Sequence, residues 1–171
     1  MSFRHPNVVL AWTFVPVLAL ALCGKGPKPA APLAPVSARM TIAASADANP
    51  DASGRPSPVV VRVYQLKGDA AFTAADFFGL FDDEEKVLGT ELISRTEYVL
   101  APSDRRTVDV PVSADARFVG AVAAFRDIRN AEWRVLVPTW REGARNMSVA
   151  IERTRILLSV ADKSAGNPEG E

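Results

Sequence analysis

Short apolar segments with a period of two run through most of the chain after residue 37, and they constrain its fold more than any other feature. In one of them Val108, Val110 and Val112 share a face, and Pro111 lies on the opposite face. This alternation is typical of a half-buried strand, and Pro111, which cannot donate to a strand ladder, predicts an edge position. Residues 118–125 (FVGAVAAF) carry no polar side chain. They therefore predict a strand in mid-sheet.

About eight such segments follow one another with turn signals between them, at 39–44, 59–66, 97–100, 107–112, 118–125, 133–137, 147–151 and 155–158. Many short strands with regular punctuation favour an all-β fold, an antiparallel two-sheet β-sandwich over residues 37–160.

Residues 68–89 interrupt this pattern, because they are rich in helix formers and hold half of the chain's phenylalanines. We expect a short helical insertion with a capping box from Thr73 to Asp76 and a stop at Gly89. Its aromatic face is expected to cap one open end of the sandwich, although an aromatic ligand-binding box is an alternative. The acidic run at 82–85 is expected to be a solvated charge run.

The scarcity of histidine and cysteine excludes most catalytic chemistry. The only histidine is His5 and the only cysteine is Cys23. Once a targeting segment is removed and Cys23 is used as an anchor, no imidazole or thiol remains for acid–base, nucleophilic or zinc chemistry. Carboxylate pairs stay possible, since sequence alone cannot show which acids face each other.

Ion and nucleic-acid binding are also disfavoured. Residues 47–51 (DANPD) have the spacing that opens an EF-hand loop, but Ala52 and Pro58 stand where a Gly and a Glu are required. Lys+Arg and Asp+Glu both total 20, so the surplus of basic residues that phosphate recognition needs is absent. We therefore predict no enzyme, cofactor, metal site or nucleic-acid partner.

The N-terminal segment predicts export and anchoring. An apolar run at 8–22 (VVLAWTFVPVLALAL) follows Arg4 and ends at Cys23, which is the plan of an export signal and is short for a membrane span. Leu20-Ala21-Leu22-Cys23 resembles the lipobox of bacterial lipoproteins, although Leu22 replaces the usual small residue. We predict a signal peptide at 1–22, acylation of Cys23, a proline-rich tether at 23–36 and a disordered tail at 161–171. A buried or incidental Cys, or an uncleaved signal anchor, is the alternative.

Two stretches resemble the TssJ lipoproteins of the bacterial type VI secretion system. They are residues 49–66 (NPDASGRPSPVVVRVYQL), with Phe72 and residues 76–78 after them, and residues 122–134 (VAAFRDIRNAEWR). The resemblance implies a transthyretin-like β-sandwich with a small helical addition, acylated and held at the periplasmic face of the outer membrane. It also implies that the protein binds the periplasmic domain of the inner-membrane protein TssM and takes no small-molecule substrate.

The resemblance further implies that the loop between the first two strands contacts the partner. In this chain that loop covers about residues 45–57, and it is long and rich in turn-forming residues, as functional loops often are. Arg55 is the strongest single candidate, because Arg is enriched among interface anchors. The predicted partner-binding residues are Asn49, Pro50, Asp51, Ser53, Gly54, Arg55 and Pro56.

Two further expectations concern the rest of the chain. Arg126 and Asp127 are expected to pair where a strand meets a turn. The alternative function is a transthyretin-like periplasmic lipoprotein that binds a small molecule or a carbohydrate, with Trp133 and Trp140 as the only candidate platforms.

Overall fold

A computed structural model describes residues 36–139 and 144–162. Cys23, the predicted signal peptide at 1–22, Trp140 and most of the predicted tether and tail lie outside the described residues. β1 begins at Val36 and β8 ends at Asp162, so strands reach slightly into the segments predicted as tether and tail. The strands are β1 (Val36–Ala44), β2 (Val59–Leu66), β3 (Leu92–Leu100), β4 (Arg105–Val112), β5 (Phe118–Ala124), β6 (Arg134–Pro138), β7 (Ala144–Glu152) and β8 (Arg155–Asp162).

These strands form two four-stranded sheets, with the order β4-β1-β7-β8 in the first sheet and β3-β2-β5-β6 in the second. The predicted β-sandwich is confirmed, as is the edge position of β4, where Pro111 pairs with Ser37 of β1. The strand pairing is antiparallel as predicted, except that β1 and β7 run parallel. Alternation of apolar residues reports which face is buried and carries no information about strand direction.

The core lies between the two sheets and is formed by the alternating apolar residues of both. Met40 and Ile42 of β1, Val61 of β2 and Val149 of β7 are fully buried there. Each such side chain contributes about 1.5–3 kcal/mol of transfer free energy. At one side of the sandwich the backbone amide of Ile156 donates to the carbonyl of Glu132 at 3.0 Å, which joins β8 to the segment before β6.

The helical insertion consists of three short helices, α1 (Ala70–Ala74), α2 (Phe77–Asp82) and α3 (Glu84–Leu88), and a 3-10 turn over Gly89–Glu91. The predicted capping box is wrong, because Thr73 lies inside α1. Asp76 is itself the N-cap of α2, and its carboxylate accepts from the Gly79 amide at 2.7 Å. Gly89 ends α3 with a φ of +49°, a left-handed value that glycine adopts without strain.

The insertion packs on the outer face of the second sheet and does not cap an open end of the sandwich. Phe72 and Leu80 from the helices are buried against Tyr64 and Val122 of the sheet. A Cβ at Gly120 would lie 2.7 Å from Cζ of Phe72, so the glycine lets the ring approach the strand. β5 is therefore covered on both faces, which explains why residues 118–125 lack polar side chains.

Polar contacts fix the insertion in place. The Tyr64 hydroxyl donates to the carbonyl of Leu80 at 2.8 Å, and burial raises the pKa of this phenol, so it stays a donor. The Arg62 guanidinium lies 3.9 Å from the centre of the Phe81 ring and 3.0 Å from a carboxylate oxygen of Glu84. The expectation of a solvated acidic run is wrong for Glu84, whose side chain is only 12% exposed and also pairs with Arg95 at 2.8 Å.

The sandwich has two distinct ends. At the chain-entry end, defined by Val36, Leu66, Val112 and Phe118, β1 starts beside the end of β4 and β2 ends beside the start of β5. The Gln65 side chain joins the two sheets there by donating to the carbonyl of Pro111 at 2.8 Å. The loop end, where β1 stops and β2 starts, lies a strand length away. Since β1 has 9 residues, that separation is about 30 Å.

Candidate functional site

The loop between β1 and β2 leaves the first sheet at the loop end and enters the second. Backbone hydrogen bonds hold its base: the Ser45 amide donates to Ile151 at 2.8 Å and the Ser57 amide donates to Ala48 at 3.1 Å. Ala48 and Ser57 are buried. The base is therefore part of the folded domain, although Ala46 and Asp47 within it are exposed.

Asn49 connects this loop to a distant segment. Its side-chain amide donates to the carbonyl of Pro58 at 2.6 Å, and its side-chain oxygen accepts from the backbone amide of Arg126 at 2.8 Å. The residue is 2% exposed and has a φ of +50°, a conformation that asparagine tolerates better than most residues. Asn49 therefore serves the site by positioning the loop, and its side chain is occupied by these bonds.

Asp51 organises the loop tip. One carboxylate oxygen accepts from the backbone amides of Ser53 at 2.8 Å and Arg55 at 3.0 Å, and the other lies 2.8 Å from a terminal guanidinium nitrogen of Arg55. The hydrogen bond from the Arg55 amide is the main reason why the pKa of Asp51 is lowered. Gly54 adopts a φ of +81° within this turn. The tip is thus shaped before any partner binds.

The tip is also exposed. Ala52, Ser53, Gly54 and Pro56 are exposed, and the Arg55 side chain is 80% exposed although it pairs with Asp51. Of the residues predicted from the sequence, Ser53, Gly54, Arg55 and Pro56 are available for contact. Pro50 and Asp51 are half-buried beside them.

An open cleft of about 400 Å³ lies between the loop, the turn after β5 and the β7–β8 turn. Pro50 and Ala52 line one side of the cleft, and Phe125, Arg126 and Arg153 contribute to the rest. Sequence reasoning did not place Arg126 and Arg153 in the site, because the three segments are far apart in the chain. The hydrogen bonds of Asn49 to Arg126 and to Arg153 are what bring them together.

The expected ion pair of Arg126 with Asp127 does not form in the described part of the chain. Asp127 instead accepts a hydrogen bond from the Asn130 side chain at 2.8 Å. At the loop base, Asp47 accepts from the Ser45 hydroxyl at 2.7 Å and lies 3.8 Å from Arg153. The hydrogen bond from the Ser45 hydroxyl is the main reason why the pKa of Asp47 is lowered.

The described residues show no grouping suited to metal binding, since no three His, Cys, Asp or Glu side chains converge within 36–139 and 144–162. Over the same ranges no helix has the length and apolar character needed to cross a membrane. Trp133 is half-buried, with its ring 5.4 Å from that of Phe77 in an edge-on arrangement. It does not form a flat exposed platform of the kind expected for a carbohydrate site.

The arrangement has the properties of a protein-contact surface: a preorganised exposed tip, a shallow cleft and several arginines. The sequence profile of the family described as "Type VI secretion lipoprotein, VasD, EvfM, TssJ" matches residues 36–154. The chain belongs to this family. Its members are structural lipoproteins and not enzymes. No curated protein sequence matches the chain.

Solved structures agree with this assignment. The type VI secretion lipoprotein TssJ1 of Pseudomonas aeruginosa is 29% identical with a TM-score of 0.71, and the match covers 75% of this chain and 98% of that one. A chain from a structure described as a type VI membrane complex is 29% identical, with a TM-score of 0.64 and coverage of 72% and 97%. A chain from a structure described as the TssM C-terminal domain from EAEC is 27% identical, with a TM-score of 0.57 and coverage of 73% and 97%.

Proposed function

We propose that this lipoprotein is a structural component of the type VI secretion membrane complex, anchored in the outer membrane and binding the periplasmic domain of TssM. The observation that carries the proposal is the exposed, preorganised tip around Arg55. Asp51 holds this tip in one shape, so a partner that docks on it loses little conformational entropy of the loop. The likeness to chains from a type VI membrane complex and a TssM C-terminal domain structure supports the choice of partner.

The anchor and the partner-binding loop are expected at opposite ends of the sandwich. The chain enters the domain at Val36, so an anchor on Cys23 is connected at the chain-entry end. The loop tip lies at the other end, about 30 Å away along β1. An acylated Cys23 would hold the domain to the membrane, and the loop end would remain free to meet a protein in the periplasm. Cys23 is the only thiol in the sequence, so no other residue can take the acyl chain of a lipobox.

Two measurements on the full-length protein test the proposal. In cells that carry a tagged TssM from the same organism, the lipoprotein should co-purify with TssM after gentle detergent extraction. Membrane fractionation should place it in the outer membrane, and Cys23→Ser should remove it from that fraction. Retention of the Cys23→Ser protein would contradict the anchor, and a wild-type protein that never co-purifies with TssM would contradict the partner.

A further inference from the structure

Four aromatic rings cluster around Phe77, where α2 lies over the second sheet. The Phe77 ring lies edge-on to Phe78 and to Trp133, both at 5.4 Å between ring centres, and it stacks on Phe81 at 5.1 Å. Phe77, Phe81 and Trp133 are half-buried, whereas Phe78 is 63% exposed. We name this set, Phe77, Phe78, Phe81 and Trp133, the aromatic patch.

Two rings of the aromatic patch already carry a cation from this chain. The Arg62 guanidinium lies 3.9 Å from the centre of the Phe81 ring, and the Arg134 guanidinium lies 5.0 Å from that of Trp133. Within the part of the chain that the structure describes, no guanidinium or ammonium group lies over Phe78. The exposed ring therefore presents an open face, and the face of an aromatic ring attracts cations because its quadrupole makes it negative.

Phe78 differs from the other exposed apolar residues. Over residues 36–139 and 144–162 the exposed large hydrophobic side chains are Phe78, Val99 and Leu157, and Phe78 is the most exposed of them. Val99 and Leu157 have the aliphatic residues Val60 and Ala150 as cross-strand neighbours. Phe78 alone among them is aromatic and belongs to a cluster of rings, so it alone offers a π face to another molecule.

The helical insertion that carries Phe78 is acidic. Residues 68–91 hold seven acidic residues and one basic residue, Lys86, although the whole chain has 20 of each kind. Asp82, Asp83 and Glu85 are exposed, and among the described residues they form no ion pair. Asp82 follows Phe78 by four positions in α2, and this spacing places the two side chains on the same side of the helix.

The cations beneath the insertion do not neutralise these exposed carboxylates. Arg62 and Arg95 both pair with Glu84, at 3.0 and 2.8 Å. Arg134 donates to the backbone carbonyls of Phe72 and Ala75, at 3.2 and 2.7 Å. The open face of Phe78 therefore lies beside carboxylates that have no cation of their own, and this favours a positively charged partner.

The chain itself shows how a cation binds to such a pair of groups. The Arg62 guanidinium lies over the Phe81 ring and is 3.0 Å from the carboxylate of Glu84, three positions further along the chain. Phe78 and Asp82 present the same two groups, a ring and a carboxylate one helical turn apart. The difference is that their cation has to come from another molecule.

We propose that the aromatic patch is a docking site for a basic segment of a partner protein, with an arginine or lysine of that segment on the Phe78 ring and paired with Asp82. The exposed ring provides the contact area, and the acidic insertion selects the charge of the partner. The site is separate from the loop tip, so this inference does not depend on the proposed binding of TssM.

A short peptide of alternating arginine and alanine is a suitable probe. Titration calorimetry with the detergent-extracted full-length protein at low ionic strength should show binding of this peptide, and a matched peptide of alternating glutamate and alanine should not bind. Phe78→Ala and Asp82→Asn should each raise the Kd of the arginine peptide about two- to fivefold. Leu157→Ala and Asp115→Asn are the controls, since they remove an exposed apolar side chain and an exposed carboxylate outside the insertion, and they should leave the Kd unchanged.

Phe78→Leu separates the ring from its apolar bulk. It should weaken binding as Phe78→Ala does, because leucine has no π face, and circular dichroism melts check that each variant is folded. No binding of the arginine peptide by wild type, wild-type affinity in Phe78→Leu, or equal losses in the insertion and control variants would overturn the proposal. Dimers in analytical ultracentrifugation that Phe78→Ala abolishes would also overturn it, because the patch would then bind a second copy of this chain.

Discussion

The loop at residues 45–58 and the helical insertion at residues 68–91 flank the same strand, β2, but they are held in opposite ways. The insertion is fixed mainly by buried apolar side chains, to which polar contacts such as that of Tyr64 with Leu80 are added: Phe72, Leu80 and Leu88 are each no more than 2% exposed. The loop is fixed by polar groups, chiefly the side chains of Asn49 and Asp51. The insertion is therefore an extension of the core, whereas the loop presents its tip to solvent.

This difference separates stability from binding. Loss of apolar burial costs several kcal/mol, because a cavity remains in the core. Polar contacts at an exposed tip contribute little to stability, since water replaces most of them. Substitutions in the insertion should thus lower the free energy of unfolding. Substitutions in the loop tip should instead lower the affinity for the proposed partner, TssM. Asn49 lies between these extremes, because it is a buried polar residue within the loop.

The largest expected effect is on stability, from Phe72→Ala. The Phe72 ring is 1% exposed and packs edge-on to Tyr64 at 5.7 Å, so its removal should lower the free energy of unfolding by about 3–5 kcal/mol. Phe78→Ala is the matched control, because Phe78 is 63% exposed and its loss should cost less than about 0.5 kcal/mol. Urea denaturation measures the free energy of unfolding of both variants. A loss for Phe72→Ala as small as that for Phe78→Ala would show that the insertion is not part of the core.

An intermediate effect is expected for Asn49→Ala. The substitution leaves the carbonyl of Pro58 and the amide of Arg126 without their side-chain partner, and such unsatisfied groups cost about 1–3 kcal/mol. Ser53→Ala, at the exposed tip, should change stability by no more than about 0.5 kcal/mol. Chemical denaturation measures the free energy of unfolding of both variants. An unchanged Asn49→Ala protein would mean that the loop base contributes nothing to the fold.

The smallest expected effect is a change in stability at acid pH. The pKa of Asp51 is lowered from 3.8 by hydrogen bonds from Arg55 and Ser53. A carboxyl with a lowered folded-state pKa stabilises the protein above its ordinary pKa, and this stabilisation is lost as the pH falls through the folded value. Wild type should therefore lose slightly more stability than Asp51→Asn between pH 4 and pH 2. Melting curves across that range test this, and parallel curves would exclude a role for the Asp51 charge.

The sequence predicted the parts of this fold that depend on local pattern. Alternation located the strands, and Pro111 placed β4 at an edge, because a missing donor is a property of one residue. The parallel pairing of β1 with β7 and the place of the helices on a sheet face depend on contacts between distant segments. The pairing of Glu84 with Arg62 and Arg95 likewise could not be inferred from an acidic run.

The candidate site, like the fold, was predictable from the sequence only in part. The polar, turn-rich loop was visible in the sequence, and so was Arg55. The buried state of Asn49 was not, since it arises from hydrogen bonds to Pro58 and Arg126. Arg126 and Arg153 also became part of the site only when three-dimensional neighbours were known. Exposed tips are predictable from composition, but the surfaces beside them are not.

We expect the loop tip to bind TssM without supporting the fold. The most direct test replaces residues 52–56 with a Gly/Ser segment of equal length and keeps Asn49 and Asp51 in place. Titration calorimetry against the TssM periplasmic domain should show a loss of about 2 kcal/mol or more in binding free energy. Thermal melts of the same protein should show a change of no more than about 0.5 kcal/mol in stability. Wild-type affinity in this variant would contradict the account, and so would a failure to fold.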